Sequence, residues 1–366
     1  MQVRVLYFGM LREMFSAGEA SVKLADGATV AQFLIWKKKH LEDGEDFSAG
    51  ILPGGTKERV MKFLRFAAAG MMMAALAVNA QNIPQDKEVL HVKVRLVNLF
   101  VNVSDEHGAI IGGLNKEDFQ LSEEGEPQKI AFFERDTALP LTVALAIDTS
   151  GSVKHDLPDE VRAAKRFIRA LLRPADQMSL YEFQTEVRDV VPFTSNRSAL
   201  DHGLEELQQG PATALYQASL MASQSLAKYN GRKVLVLVTD GGNTVKGVSY
   251  QMALEAAQKA DVMIYSLIDV PVEASAGRDL GGEHALITLS EQTGGRYYYV
   301  EQKGLSETFA QLSQDLRTQY LLGYYPQRKK QSEGYRQISV TLNGKDKQNY
   351  QLRYRAGYYA DHNGDQ

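Results

Sequence analysis

LTVALAIDTSGSV, running from Leu141 to Val153, is the stretch whose reading decides the fold. Its first seven residues are an unbroken run of aliphatic and β-branched side chains, too short to favour a helix. The run ends abruptly in Asp148-Thr149-Ser150-Gly151-Ser152. That pattern fits a buried parallel strand delivering an oxygen-rich loop. A second run, Lys233 to Thr239 (KVLVLVT), ends in the same manner in Asp240-Gly241-Gly242-Asn243. Two interior strands therefore each place an aspartate at a carboxyl end, the edge of an open α/β sheet where ligands bind. Between them lies Gly210-Pro211-Ala212-Thr213, followed by a helical pattern from Ala214 to Lys228 that sets Thr213 at a helix start.

The chemistry of this set is that of a hard cation. Two carboxylates and three hydroxyls, with no His or Cys among them, suit Mg²⁺, Mn²⁺ or Ca²⁺ rather than zinc or copper. A single Ser, Thr or Asp after a strand is ordinarily a helix cap or a turn former, so the signal lies in their joint order. In that order the chain resembles the von Willebrand factor type A domain, whose metal-ion-dependent adhesion site (MIDAS) is D-x-S-x-S, then a Thr, then an Asp after a later strand. Asp148, Ser150, Ser152, Thr213 and Asp240 fill the five positions. The resemblance implies that the hydroxyls of Ser150, Ser152 and Thr213 touch the metal while Asp148 and Asp240 act largely through water. It also implies a position left open on the metal for a carboxylate of a protein partner.

Composition narrows the classes. The 366 residues allow two or three domains, and 44% hydrophobic with 23% charged is ordinary for globular protein. A net charge of −4 gives no electrostatic case for nucleic acid, and Lys37-Lys38-Lys39 reads as a solvated face. With no cysteine, disulfides, thiolate metal sites and cysteine nucleophiles are excluded.

Residues 1–60 are of another kind. Met1 to Leu34 reads as strand, helical turn, strand, turn and the start of a helix, and resembles the first half of the molybdopterin synthase small subunit, a ubiquitin-like (β-grasp) sulfur carrier. That family ends in a C-terminal Gly-Gly, whereas Gly54-Gly55 here is followed by Thr56, and the second half of the sheet is missing. Sulfur transfer through residues 1–55 would need cleavage after Gly55. Residues 61–80 read as a secretory signal peptide: a basic Met61-Lys62-Phe63-Leu64-Arg65, an apolar run from Phe66 to Val78, and Val78-Asn79-Ala80 as the cleavage site. The apolar run is shorter than the roughly 20 residues of a spanning helix, so no stable transmembrane anchor is expected. The expectation is that translation starts at Met61 and that residues 1–60 are an over-extended frame or a fusion, with the product exported to the periplasm, cell surface or medium.

The remainder divides into an N-terminal β module (residues 81–137), an α/β domain (138–303) and a C-terminal helix with β strands (304–366). Leu90 to Val103 is strand-like, Asp105-Glu106-His107-Gly108 is a turn, and a strand pair turns around Glu124-Gly125. From Leu139 strands and helices alternate, which predicts a doubly wound, mostly parallel sheet with helices on both faces. Val270 to Gly282 reads as a connector bordering the metal face. Leu305 to Arg317 is an amphipathic helix. Three tyrosine-rich segments, Gln319–Tyr325, Tyr335–Leu342 and Tyr350–Tyr359, are expected to pair with the N-terminal strands in an antiparallel module, their rings packed on the sheet. G-L-x-x-x-D-F (Gly113 to Phe119) and x-E-x-G-x-P-Q-x-I-x-x-F, with its Glu at Glu123 and running through Phe132, lead into D-T-S-G-S as in the von Willebrand type A-related proteins typical of exported acidobacterial chains.

The function expected from this order is an exported, metal-dependent protein-binding module for adhesion or scaffolding, not an enzyme. The other reading, a metal-assisted hydrolase, lacks a nearby His or Glu with a base role, a G-x-S-x-G and a second metal cluster.

Overall fold

A computed structural model describes residues 96–135, 139–151, 157–269, 279–300, 304–326, 334–344 and 349–360, together with the backbone of two strands near the start. Those two, β1 (Gln2–Leu6) and β2 (Glu19–Lys23), pair antiparallel and belong to a unit, Met1–Val94, separate from Arg95–Gln366. The rest of the sulfur-carrier-like stretch, the signal segment 61–80, residues 270–278 and Ser152 lie outside the described residues.

A six-stranded sheet carries the α/β domain. Its strands are β7 (Leu141–Asp148), β8 (Gln177–Phe183), β9 (Val187–Thr194), β10 (Arg232–Thr239), β11 (Val262–Ile268) and β12 (Tyr297–Tyr299), in the order β12-β11-β10-β7-β8-β9. All neighbours are parallel except β8 and β9. Every residue of β7 is buried, as an interior parallel strand flanked on both faces requires. Its side chains divide by pleat: Val143, Leu145 and Ile147 face one apolar layer and Ala144 and Ala146 the other.

Helices α1 (Leu157–Leu171), α2 (Arg197–Glu205) and α6 (Leu305–Arg317) cover the first face; α3 (Leu215–Leu226), α4 (Tyr250–Lys259) and α5 (Leu280–Thr293) cover the second. Phe167 of α1 and Phe309 of α6 stack with ring centres 4.4 Å apart, so by packing α6 belongs to the α/β layer. The open edge strand β9 carries Pro192, and β12 at the opposite edge has three residues, two devices that blunt strand addition.

The segments on either side of this domain form one β sandwich. One sheet joins β3 (Val97–Ser104), β6 (Ile130–Glu134), β13 (Tyr320–Tyr324) and β15 (Gln351–Arg353); the other joins β4 (Phe119–Glu123), β5 (Glu126–Gln128), β14 (Gly334–Leu342) and β16 (Gly357–Ala360). All pairings are antiparallel. Each sheet mixes strands from before and after the α/β domain, which is therefore an insertion between β6 and β13. The third tyrosine-rich segment is not one strand. Gln351–Arg353 pairs with β3 and Gly357–Ala360 with β14, because the chain crosses between the sheets at Tyr354-Arg355-Ala356. Tyr320, Tyr324 and Tyr358 fill the sandwich core. Tyr324 and Tyr358 donate their hydroxyls to buried Glu123, at 2.7 and 3.1 Å, and Arg336 pairs with the same carboxylate at 2.8 Å.

The sandwich seats against the amino edge of the six-stranded sheet. Asp315, near the end of α6 and 2% exposed, accepts from the Tyr298 hydroxyl (2.6 Å), Arg353 of β15 (3.2 Å) and Arg296 (3.4 Å). Its backbone carbonyl accepts from Asn102 of β3 at 2.8 Å. Removing one member of such a buried ionic network leaves the others uncompensated. Asp315→Ala is expected to destabilise the chain by about 3 kcal/mol, read as a lower midpoint in denaturant unfolding. A change below about 0.5 kcal/mol would show the junction to be passive.

Candidate metal centre

The carboxyl edge of the sheet, opposite the sandwich, gathers three loops. The first continues β7. Asp148 is its last residue, and Thr149 N–H still donates to Phe183 O at 3.1 Å, so the strand geometry extends into the loop. The second is Gly210 to Thr213, which docks on the first: Gly210 N–H donates to Thr149 O (3.0 Å) and Gly151 N–H to Gly210 O (2.8 Å). Ser150 and Gly210 are thereby paired like parallel strand residues. The third follows β10. Thr244 and Val245 N–H groups donate to Thr213 O at 3.0 and 3.2 Å, and Thr213 N–H donates to Thr244 Oγ1 at 2.8 Å. Backbone hydrogen bonds thus join the segments bearing Asp148, Ser150, Thr213 and Asp240, while Ser152 lies outside the described residues.

Each group has a distinct surrounding. Asp148 is 1% exposed; its Oδ1 accepts from Ser150 N–H (2.9 Å) and its Oδ2 from the Thr239 hydroxyl (2.5 Å). Burial pushes its carboxyl up to about 6; the hydrogen bonds from Thr239 and Ser150 oppose the rise and the charge of Asp240 adds to it. Among the described residues no Lys, Arg or His pairs with it. Asp240 is half-buried and accepts from Gly242 N–H at 3.3 Å. Thr213 is not a cap: α3 begins at Leu215 with Ala214 at the cap position and no side-chain hydrogen bond there. The ordinary explanation for a Thr before a helix is therefore absent at Thr213.

Glycine lets the neighbouring helix close on this loop. A Cβ on Gly282, in the first turn of α5, would stand 1.8 Å from Gly241 O, so two facing glycines permit the approach. Asp279 caps α5 by accepting from Gly282 N–H at 3.0 Å, which starts the helix at Leu280, inside the stretch read from the sequence as a connector.

Two further carboxylates stand under the site and were not singled out from the sequence. Glu160, in the first turn of α1, is 5% exposed, and Asp269, directly after β11, is 4% exposed with its N–H donating to Thr239 O at 3.0 Å. Burial, then the charges of Asp269 and Asp148, push Glu160 up to about 7. Both had a signal. Glu160 lies at i−4 and i−8 from Ala164 and Ile168 on the apolar stripe of α1, and Asp269 is a third aspartate at the carboxyl end of an interior strand.

The family model described as the von Willebrand factor type A domain matches residues 143–243. A UPF0353 protein of Mycolicibacterium paratuberculosis is 35% identical over 100 residues, a match that spans 25% of this chain and 30% of that relative's length. Among solved structures, BatB from Bacteroides thetaiotaomicron is 21% identical, covering 48% of this chain and 97% of that one with a TM-score of 0.39. The von Willebrand domain of the type V pili tip protein Mfa5 from Porphyromonas gingivalis is 14% identical over 49% of this chain and 95% of its own, with a TM-score of 0.40. Proximal thread matrix protein 1 from the mussel byssus, solved with a zinc-occupied MIDAS motif, is 16% identical over 54% of this chain and 50% of its own, with a TM-score of 0.43.

Proposed function

We propose, from the premise that this chain carries a von Willebrand factor type A domain, that it is an exported, metal-dependent binding module for adhesion or scaffolding. The hydroxyls of Ser150, Ser152 and Thr213 would hold a divalent cation, with Asp148 and Asp240 acting through water. A carboxylate of a protein partner would complete its shell. The donor set fits Mg²⁺, or Mn²⁺ or Ca²⁺, because every donor is oxygen. The observation that carries this reading is the joining of three loops by backbone hydrogen bonds, which sets hydroxyl-bearing residues beside a buried carboxylate that lacks a basic partner among the described residues. A carboxylate taken out of water without a cation is costly, and a bound divalent ion removes that cost.

The site acts by binding rather than by turnover. Both oxygens of Asp148 already accept hydrogen bonds, from Ser150 and Thr239, which leaves it poorly placed to take a proton from an attacking water. Export follows from the signal-like residues 61–80. Among the described residues no helix is long and apolar enough to cross a membrane.

The test is calorimetric titration of Mg²⁺ and Mn²⁺ into the full chain beside Ser150→Ala and Thr213→Ala. Each variant should bind about tenfold or more weakly, the loss of one ligand contact of some 1.4 kcal/mol. Caps would respond otherwise: the melting temperature would drop and cation affinity, if present, would stay. Metal-dependent turnover in a phosphatase or peptidase panel would replace this reading with a hydrolase.

A further inference from the structure

Glu182 stands where the packing pattern of β8 calls for an apolar side chain. Leu180 and Met178, two and four residues before it, face the first apolar layer, and Glu182 continues their row while only 3% exposed. A carboxylate withdrawn from water needs partners on both oxygens, and here it has them. Arg188, directly opposite on β9, donates Nε and Nη2 to Oε2 at 2.8 and 2.6 Å. Oε1 accepts from Gln208 N–H and, at 3.4 Å, from the Thr149 hydroxyl. Thr149 sits in the loop after Asp148, and Gln208 in the chain that leads to Thr213.

The β8–β9 hairpin holds that chain at two more points. Arg188 Nη2 also donates to Glu206 O at 2.8 Å, so one guanidinium joins the buried carboxylate to the segment after α2. Gln184 covers Gly210: a Cβ there would stand 1.8 Å from Gln184 Oε1 and 2.9 Å from its Cβ, a seat that glycine leaves open. Gly210 in turn bonds through its backbone to Thr149 and Gly151. Residues 206–210 are therefore held on one side by the hairpin and on the other by the loop that carries Ser150.

Packing alone does not require this arrangement. A buried ion pair exchanged for apolar side chains of similar volume is often neutral or stabilising, so an apolar pair would seal the layer as well. What an apolar pair cannot do is hold Gln208 N–H, Glu206 O and the Thr149 hydroxyl in one register. We infer that Glu182 and Arg188 are positioning residues of the candidate metal centre: they set the segment before Thr213 against the Asp148 loop and thereby determine cation affinity without touching the cation. The inference rests on the cation reading above. Residues that orient a metal's ligands are typically worth roughly ten- to a hundredfold in affinity.

The test uses the full chain with the pair removed together, Glu182→Leu with Arg188→Leu, which leaves no lone buried charge. Beside it stands Arg188→Lys, which leaves Glu182 its counter-charge and so the fold, but gives up the two-point fork. In chelator, hydrogen exchange at the Gly210 amide should quicken about tenfold or more in the double variant, while the amides of β10 stay as protected as in the unaltered chain. In calorimetry with Mg²⁺ the double variant should bind about tenfold or more weakly and Arg188→Lys about threefold more weakly. Asp315→Ala, at the opposite edge of the sheet, should lose stability and keep cation affinity. Unchanged exchange at Gly210, or an Arg188→Lys affinity equal to that of the unaltered chain, overturns this inference and leaves the cation reading standing. So does an affinity loss in Asp315→Ala as large as in the double variant, since affinity would then follow global stability. Absence of cation binding in the unaltered chain overturns the reading beneath, and this inference with it.

Discussion

Asp148→Asn is expected to abolish cation binding and, in the same sample, to raise the melting temperature of the metal-free protein. The two effects share a cause. Asp148 is 1% exposed and its carboxyl is held up at about 6 by burial against the opposing hydrogen bonds of Thr239 and Ser150, with Asp240 adding repulsion. At pH 8 it is ionised in the folded protein at a cost the unfolded chain does not bear. An asparagine keeps an acceptor for Ser150 N–H, can donate to Thr239 Oγ1 and carries no charge. Relief of the buried charge should stabilise the apo protein by about 2 kcal/mol, a rise of about 5 °C for a domain of this size. The cation loses the charge that holds its water, and affinity should fall beyond about a hundredfold. A variant that binds cation normally would remove Asp148 from the site; one that melts lower would show its carboxylate to be stabilised by a basic partner.

The metal-free protein should also grow more stable as pH falls from 8 towards 5. Glu160 has its folded value raised to about 7 from 4.5, and Asp148 to about 6 from 3.8. A raised carboxyl favours the protonated form in the folded state. Its contribution is fully present below the unfolded value and is lost as pH rises through the folded one. For Glu160 that window runs from about 4.5 to about 7, with burial first and the charges of Asp269 and Asp148 next as causes. The loss across it is about 3 kcal/mol. Thermal melts in chelator at half-unit steps would show it, and Glu160→Gln should flatten the upper half of the curve. Because Asp148 is one cause of the shift at Glu160, the gains from Asp148→Asn and Glu160→Gln should add to less than their sum. Cation at pH 8 should restore much of the lost stability, and its binding should release protons near pH 6, where these carboxyls are still partly protonated in the metal-free protein. A flat profile, or a Glu160→Gln variant less stable at pH 8, would show that these acids do not share an uncompensated cluster.

The α/β frame was legible because its strands are read by length and hydrophobicity alone. Leu305–Arg317 has the bounds the sequence pattern assigns, and β7 ends at Asp148 where the apolar run stops. The order of the candidate ligands was legible for the same reason, since the carboxyl ends of strands converge in this topology. What the pattern hid was pairing. Tyr350–Tyr359 has the composition of one strand, yet Arg353 pairs with β3 and Gly357 with β14, a division fixed by partners more than two hundred residues or some twenty residues away. Glu160 was overlooked because a charged residue is by habit assigned to the solvent face, although its spacing to Ala164 and Ile168 placed it on the buried one. Asp279 was obscured by a Gly- and Ala-rich stretch that reads as a connector until its capping bond to Gly282 is seen.

The insertion of the α/β domain between β6 and β13 has a mechanical consequence. Both of its connections to the sandwich leave from the amino edge, while the candidate binding face lies at the carboxyl edge. A tug on a partner held at Asp148 and Asp240 would run lengthwise down β7 and β10, which are paired in parallel from Arg232↔Leu141 to Val238↔Ile147. The hydrogen bonds of those central strands would then be loaded together in shear rather than peeled one after another, the more resistant of the two geometries. The fold would thus carry tension from its grip to its anchor through its stiffest strands, and leave the marginal edges β9 and β12 unloaded.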